Sequence, residues 1–204
     1  MDNKYKDTIA IYRQKAIIGK IIDMIPYDPS YAEAVVRLRN TDRVRYFLNQ
    51  DYESTVETQH KWYESYLLRD NDILWVVKNK QGQMIGTNRI YEVDLLQAEK
   101  GSLIIDESMA LGAPYALESD LIAIKFALEC LDVNKIITKV RVDNEKMKSI
   151  NTKFGFYQSS IEKIRAIDYF VFELASNLFN PKPFEDIINY WSNRNERIKA
   201  KASV

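Results

Sequence analysis

Residues 101–142 read "GSLIIDESMALGAPYALESDLIAIKFALECLDVNKIITKVRV", and this stretch limits the fold more than any other. Two apolar runs, "LIID" and "KIITKVRV", are short and rich in β-branched residues, as strands are. Between them Leu117, Leu121, Ile124, Leu128 and Leu131 recur every three or four residues, the spacing of one helical face. A strand, a tight loop, an amphipathic helix and a second strand make an α/β unit.

The remaining segments extend that unit. "KAIIGKIIDMIPYD" reads as a strand, and "PSYAEAVVRLRN" as a helix with Ala34, Val35 and Leu38 on one side. "TDRVRYFLN" reads as a second short helix or turn. In "STVETQHKWYESYLLRD", Ser54 and Glu57 are spaced as a capping box, and Val56, His60, Tyr63 and Leu67 share one face. "DILWVVKN" and "MIGTNRIYEVD" flank the turn "KQGQ" as a hairpin. "NEKMKSINTKF" is a short helix with Gly155 at its C-terminal cap, followed by the closing hairpin "GFYQSSIEKI" and "AIDYFVFEL". After the break at "NPKP", Phe184, Ile187, Ile188, Trp191 and Ile198 make the apolar stripe of a terminal amphipathic helix, which either folds back or joins two copies in a homodimer. The order predicts a mixed α/β domain with a largely antiparallel central sheet flanked by helices, over residues 16–175. Residues 1–15 form an N-terminal extension and residues 176–204 a C-terminal helical one.

Composition removes several functions. Lys+Arg and Asp+Glu are both 29, so a broad nucleic-acid footprint lacks its basic excess. One cysteine, Cys130, allows no internal disulfide framework and suits a reducing cytoplasm. No apolar run approaches ~20 residues, so no membrane span is expected, and the first residues lack a signal-peptide pattern. One His and one Cys without a compact acidic set give no basis for a metal site.

The loop "ALGAPYALESD" precedes a helix N-terminus, where unpaired N–H groups and the helix dipole favour anions. Gly112, Ala113 and Ala116 are small enough for a phosphate to approach the backbone, whereas Pro114 removes a donor and Tyr115 either covers a ligand or packs inward. On residue chemistry alone a plain strand-to-helix connection is the commoner use of such a loop. His60 is a half-buried structural residue or a ligand-binding one. Glu99, just before a strand, is a general base if buried and otherwise a solvated edge acid. Asp143 or Asn144 caps the following helix. Arg39 and Arg43 to Arg45 read as a solvated face, the usual fate of surface arginines.

The order of these parts resembles the GNAT superfamily of N-acetyltransferases from about residue 16 to residue 174. "AVVRLRNTDRVRYFL" looks like the first-helix segment with its Arg-Asn pair, "GQMIGTNRIYEVD" like the middle hairpin with its Ile-Gly step, and residues 101–156 like the acetyl-CoA-binding half with its Asn…Gly-Phe ending. The resemblance implies that Leu103, Ile104 and Ile105 pair by their backbone with the pantetheine arm, and that one N–H there polarises the thioester carbonyl. It makes Gly112, Ala113, Tyr115, Ala116, Asn144 and Asn151 cofactor-binding positions. The loop departs from the family pattern, with Leu111 in place of a basic residue and Pro114 in place of a central glycine. It makes Glu99 the base that takes the amine proton. Asn151 stands where many members have a general-acid tyrosine, and an amide donates a hydrogen bond but no proton; Tyr157 or Tyr115 is the substitute, or the thiolate leaves with hydrogen-bond help alone.

The segment "RNTDRVRYFL…STVETQHKWYESYL" is similar to enzymes that acetylate nucleotide-linked amino sugars for surface polysaccharides, which implies Arg39 and His60 as acceptor-binding residues and a cytoplasmic enzyme. Protein N-terminal acetyltransferases share the Arg-Asn segment, and a silent acyl-CoA-binding or assembly module is the non-enzymatic alternative.

Overall fold

The computed structural model describes residues 4–110 and 112–202, with side chains described as far as Arg194. Eight strands form one sheet in the order β1-β2-β3-β4-β5-β6-β8-β7. They are β1 (Ile17–Ile18), β2 (Ile22–Pro26), β3 (Ile73–Asn79), β4 (Met84–Tyr91), β5 (Gln97–Ile105), β6 (Lys135–Arg141), β7 (Tyr157–Ile164) and β8 (Ile167–Ala175). Only β5 and β6 run parallel. The sheet is therefore mixed and largely antiparallel, as the sequence predicts. The expected first strand is divided: the chain turns at Gly19 and re-enters the sheet at Ile22.

Among the described residues, eight α-helices flank the sheet: α1 (Lys4–Tyr12), α2 (Ala32–Arg39), α3 (Asp42–Phe47), α4 (Val56–Leu67), α5 (Glu107–Ala110), α6 (Tyr115–Lys125, prolonged by a π turn over Phe126–Cys130), α7 (Glu145–Phe154) and α8 (Lys182–Ala202). The two layers of helix are legible in β3, whose residues are buried on both sides. Ile73, Trp75 and Val77 point into a large core with Ile9 of α1, Ile124 of α6 and Ile188 of α8. Leu74 and Val76 point the other way, against Val35 of α2 and Tyr66 of α4. This is the period-2 division of a strand covered on both faces. Phe184 and Ile188 are 2% exposed, and Phe184 stacks on Phe154 at 3.6 Å between ring centroids, so α8 folds back onto its own chain. Trp191 packs against the same core, Ile187 is exposed, and Ile198 lies outside the described side chains.

Local signals set several element ends. Gly155 caps α7 in the left-handed region at φ 100°. A Cβ at Gly86 would sit 2.0 Å from the Ile104 carbonyl oxygen, which explains the Ile-Gly step where β4 approaches β5. The capping box on α4 uses Thr55 and Thr58 rather than Ser54 and Glu57. The buried face of α4 is also rotated from the expected one. Gln59 and Tyr66 are buried, whereas His60 and Leu67 are exposed, because the aromatic rings of Trp62, Tyr63 and Tyr66 claim the interface with Tyr27.

Two features of the sheet create the site. Pairing between β5 and β6 is confined to Gln97↔Lys135, Ala98↔Ile136 and Glu99↔Ile137, after which β6 continues only against β8. Residues 100–105 of β5 therefore leave their neighbour and open a cleft. The ladder between β4 and β5 also slips between Thr87 and Arg89, with Ser102 at φ 52°. Such a bulge bends a strand and re-aims its backbone groups. Beneath it Lys100 and Asp120 form a buried ion pair, with both carboxylate oxygens 2.9 Å from Nζ, and Asn88 donates to Asp120 and to Ser119. Every member has a partner, which is the condition for tolerating charge in a core.

Candidate active site

Three cavities lie in a row along the opened edge of β5. The first encloses about 440 Å³. Its floor is Leu103, Ile104 and Ile105, and its far end is the small-residue loop with Gly112, Ala113 and Ala116. Asn144, Met147 and Ile150 close it from α7, and Val44, Phe47 and Leu48 from the α3 side. The loop is built for close approach. Gly112 stands at φ 80° and a Cβ there would touch nothing within 4 Å, so the space beside it is open. The Ala113 N–H is already used, donating to the Ala110 carbonyl at 2.7 Å, and Pro114 at the N-cap of α6 makes no side-chain capping bond. Leu111 lies outside the described residues.

The second cavity, about 340 Å³, shares Phe47 and Leu48 with the first. Glu99 lines it, with a side chain only 17% exposed. Tyr91 donates its hydroxyl hydrogen bond to Glu99, and the Lys139 ammonium stands 3.7 Å from the other carboxylate oxygen. Burial, reinforced by the Glu99 charge, pushes the Tyr91 phenol well above its ordinary range, so it stays a donor at neutral pH. Burial alone would lower Lys139, but hydrogen bonding to Glu162 and the charges of Glu99 and Glu162 outweigh it and hold it raised and cationic. Glu99 is thus a largely buried side chain at a cavity wall, held by Tyr91 and Lys139.

Arg39, Tyr52 and Ser102 are shared with the third cavity, about 220 Å³, which adds Thr58, Gln59, Trp62 and Arg89. Arg39 donates to Gln50 at 3.0 Å, a neutral partner. Its neighbour Asn40 makes two bonds of 2.8 Å to the Ser54 backbone. The Arg-Asn pair therefore pins the 48–55 loop over the second and third cavities. Arg89 is neutralised by Asp72, with Nε 2.8 Å from Oδ1.

The structure brings together Glu99, Leu103, Ile104, Ile105, Gly112, Ala113, Ala116, Asn144 and Arg39 along this groove. Asn144 is also the α7 cap, accepting from the Met147 N–H, while Asp143 binds Arg141 and Tyr46 instead. Three expected residues stand apart. Tyr115 packs against the main hydrophobic core rather than over the loop. His60 is exposed and lines none of the cavities found among the described residues; Gln59, one position earlier on the rotated helix, lines the third cavity. Asn151 is fully buried, lines no cavity among the described residues, and neither its amide nitrogen nor its oxygen has a partner. Tyr157, named as a substitute acid, is 48% exposed and bonds Glu173. Cys130 has the Tyr12 hydroxyl as its polar neighbour at 3.8 Å. No signal in the sequence pointed to Tyr91, Lys139, Glu107 or Lys146, and Arg43 read there as part of a solvated face.

Residues 22–157 match the family model described as an acetyltransferase (GNAT) domain. Among solved structures, the chain is similar to spermidine N-acetyltransferase from Vibrio cholerae in complex with CoA and spermine, at TM-score 0.71 and 17% identity over 78% of this chain and 98% of that one. It is similar to FdhC, a nucleotide-linked sugar GNAT solved in its apo form, at TM-score 0.70 and 19% identity over 87% of this chain and 97% of that one. It is also similar to a GCN5-related N-acetyltransferase from Brucella melitensis, at TM-score 0.70 and 14% identity over 88% and 86%. No curated protein matches the sequence.

Proposed function

Because this chain belongs to the GNAT acetyltransferase family, whose co-substrate is acetyl-CoA, we propose that it acetylates the primary amine of a nucleotide-linked amino sugar. The first cavity suits the cofactor. It offers a strand edge free of β6, small residues where a diphosphate would pass, and an apolar floor for an extended arm. When bound, acetyl-CoA would supply the thioester whose acetyl carbon the amine attacks, the C–S bond breaking and CoA leaving as the thiolate. Glu99 takes the proton that the acceptor ammonium must lose, while Tyr91 and Lys139 hold that carboxylate in place. A backbone N–H of Leu103, Ile104 or Ile105 is the donor for the developing oxyanion.

The observation that carries the acceptor is Arg39 on the wall of the second cavity. Lys100 there is paired with Asp120, Lys139 with Glu162 and Glu99, and Arg165 with Asp51, whereas the Arg39 fork bonds the neutral Gln50 amide, which a diphosphate can replace. The third cavity supports a sugar nucleotide as well, with aromatic Trp62 and Tyr52 beside hydroxyl and amide groups of Thr58 and Gln59. Arg39 is the proposed diphosphate contact, and Gln59 takes the place first given to His60. Such acceptors are made in the cytoplasm, where the lone Cys130 is also at home.

The test is an acceptor screen with the purified protein and acetyl-CoA, following CoA release. Amino-sugar nucleotides should be acetylated well above spermidine and N-terminal peptides, and Gly112→Trp should abolish both acetyl-CoA binding and turnover. Preference for spermidine or for peptides would overturn the acceptor. Absence of acetyl-CoA binding at millimolar concentration would overturn acetyl transfer itself.

A further inference from the structure

The first cavity carries three charged side chains, all at its rim: Arg43 of α3, Glu107 of α5 and Lys146 of α7. One carboxylate ties the two cations together. Arg43 Nη1 lies 2.6 Å from Glu107 Oε2, and Lys146 Nζ lies 3.5 Å from Glu107 Oε1. The loop below has two fewer donors than its length allows, since the Ala113 N–H is spent on Ala110 and Pro114 has none. Resting on the acetyl-CoA reading above, we propose that Arg43 and Lys146 form a side-chain clamp for the cofactor diphosphate, and that Glu107 is a counter-ion displaced when the phosphates enter.

Three physical points support the clamp. The residues that give the cavity its floor and loop are apolar or small, so they neutralise no phosphate. Arginine presents a planar fork that bonds phosphate oxygens in pairs, and lysine adds a mobile point charge. The bridge is easily broken, because the three side chains are 53–65% exposed and water and salt weaken exposed ion pairs. A diphosphate carries more charge than one carboxylate, so exchange runs toward the ligand. Arg43 also lies 5.7 Å over the Phe47 ring, which keeps its head at the cavity when Glu107 is released. A clamp from α3 and α7 thus offsets the loss of backbone donors in the loop.

The sign of one variant separates this role from a structural one. Titration with CoA, dephospho-CoA and pantetheine should show Arg43→Ala and Lys146→Ala each weakening CoA and dephospho-CoA about 10-fold, with pantetheine unchanged. Glu107→Gln should tighten CoA by about 2- to 5-fold, because a competitor for the cations is gone. A bridge that merely pins three elements would give Glu107→Gln a weaker affinity or none of these shifts, and would overturn the clamp while leaving acetyl transfer standing. Loss confined to CoA, with dephospho-CoA unaffected, would assign the cations to the 3′-phosphate and also overturn it. A wild-type protein that binds neither CoA nor dephospho-CoA would overturn the clamp together with the acetyl-CoA reading.

Discussion

The first and second cavities adjoin at Phe47 and Leu48, yet they are built on different principles. The first is walled by the backbone of β5, by small loop residues and by apolar side chains, with charge only at the rim. The second is walled by charged and aromatic side chains from α2, β4, β5, β6 and β8: Arg39, Tyr91, Glu99, Lys139 and Tyr169. A wall of backbone tolerates change in side chain, because its groups are the same whichever residue carries them. A wall of side chains does not, because its charges and rings belong to particular residues.

The largest effect should separate the two walls outright. Glu99→Gln should lower kcat by about 10²- to 10⁴-fold with unchanged acetyl-CoA affinity, since an amide accepts no proton but touches nothing in the first cavity. A parallel fall in acetyl-CoA affinity, measured by calorimetry, would break the comparison. A smaller effect should appear at Arg39, whose removal costs one charged hydrogen bond. Arg39→Ala should raise the acceptor KM about 10- to 100-fold for a diphosphate-bearing amine, with little change for the same amino sugar lacking the nucleotide. Equal losses for both acceptors would assign Arg39 to holding the 48–55 loop through Gln50.

The smallest effect concerns Asn151, buried near the first cavity's α7 wall with two unpartnered polar atoms. Leucine has the same branched arrangement of side-chain heavy atoms and no stranded polar group, so Asn151→Leu should raise stability by on the order of 1 kcal/mol in urea unfolding. Unchanged turnover would show that the former general-acid position is now only packing. A fall in kcat alongside the gain in stability would show that the amide serves the thiolate.

Legibility followed the same division. Helix α6, the small loop, the Asn144 cap and the Gly155 stop could be read directly, because their signals lie within one or two turns of chain. His60 was misplaced by one residue on α4, since both settings satisfy helical spacing and only the aromatic contacts with Tyr27 select between them. Arg43 and Glu107 are 64 residues apart, and Tyr46 and Asp143 are 97 apart, so no local pattern announces either pair.

By itself, then, the order of apolar runs and glycines determined an α/β sheet with a loop fit for close approach, because periodicity and capping are short-range properties of the chain. Tertiary structure decided that β5 leaves β6 after Glu99, that α4 turns Gln59 inward, and that two distant cations share one carboxylate at the rim. Those outcomes depend on which side chains win the packing and which charges find partners, and both are settled only when segments far apart in sequence meet.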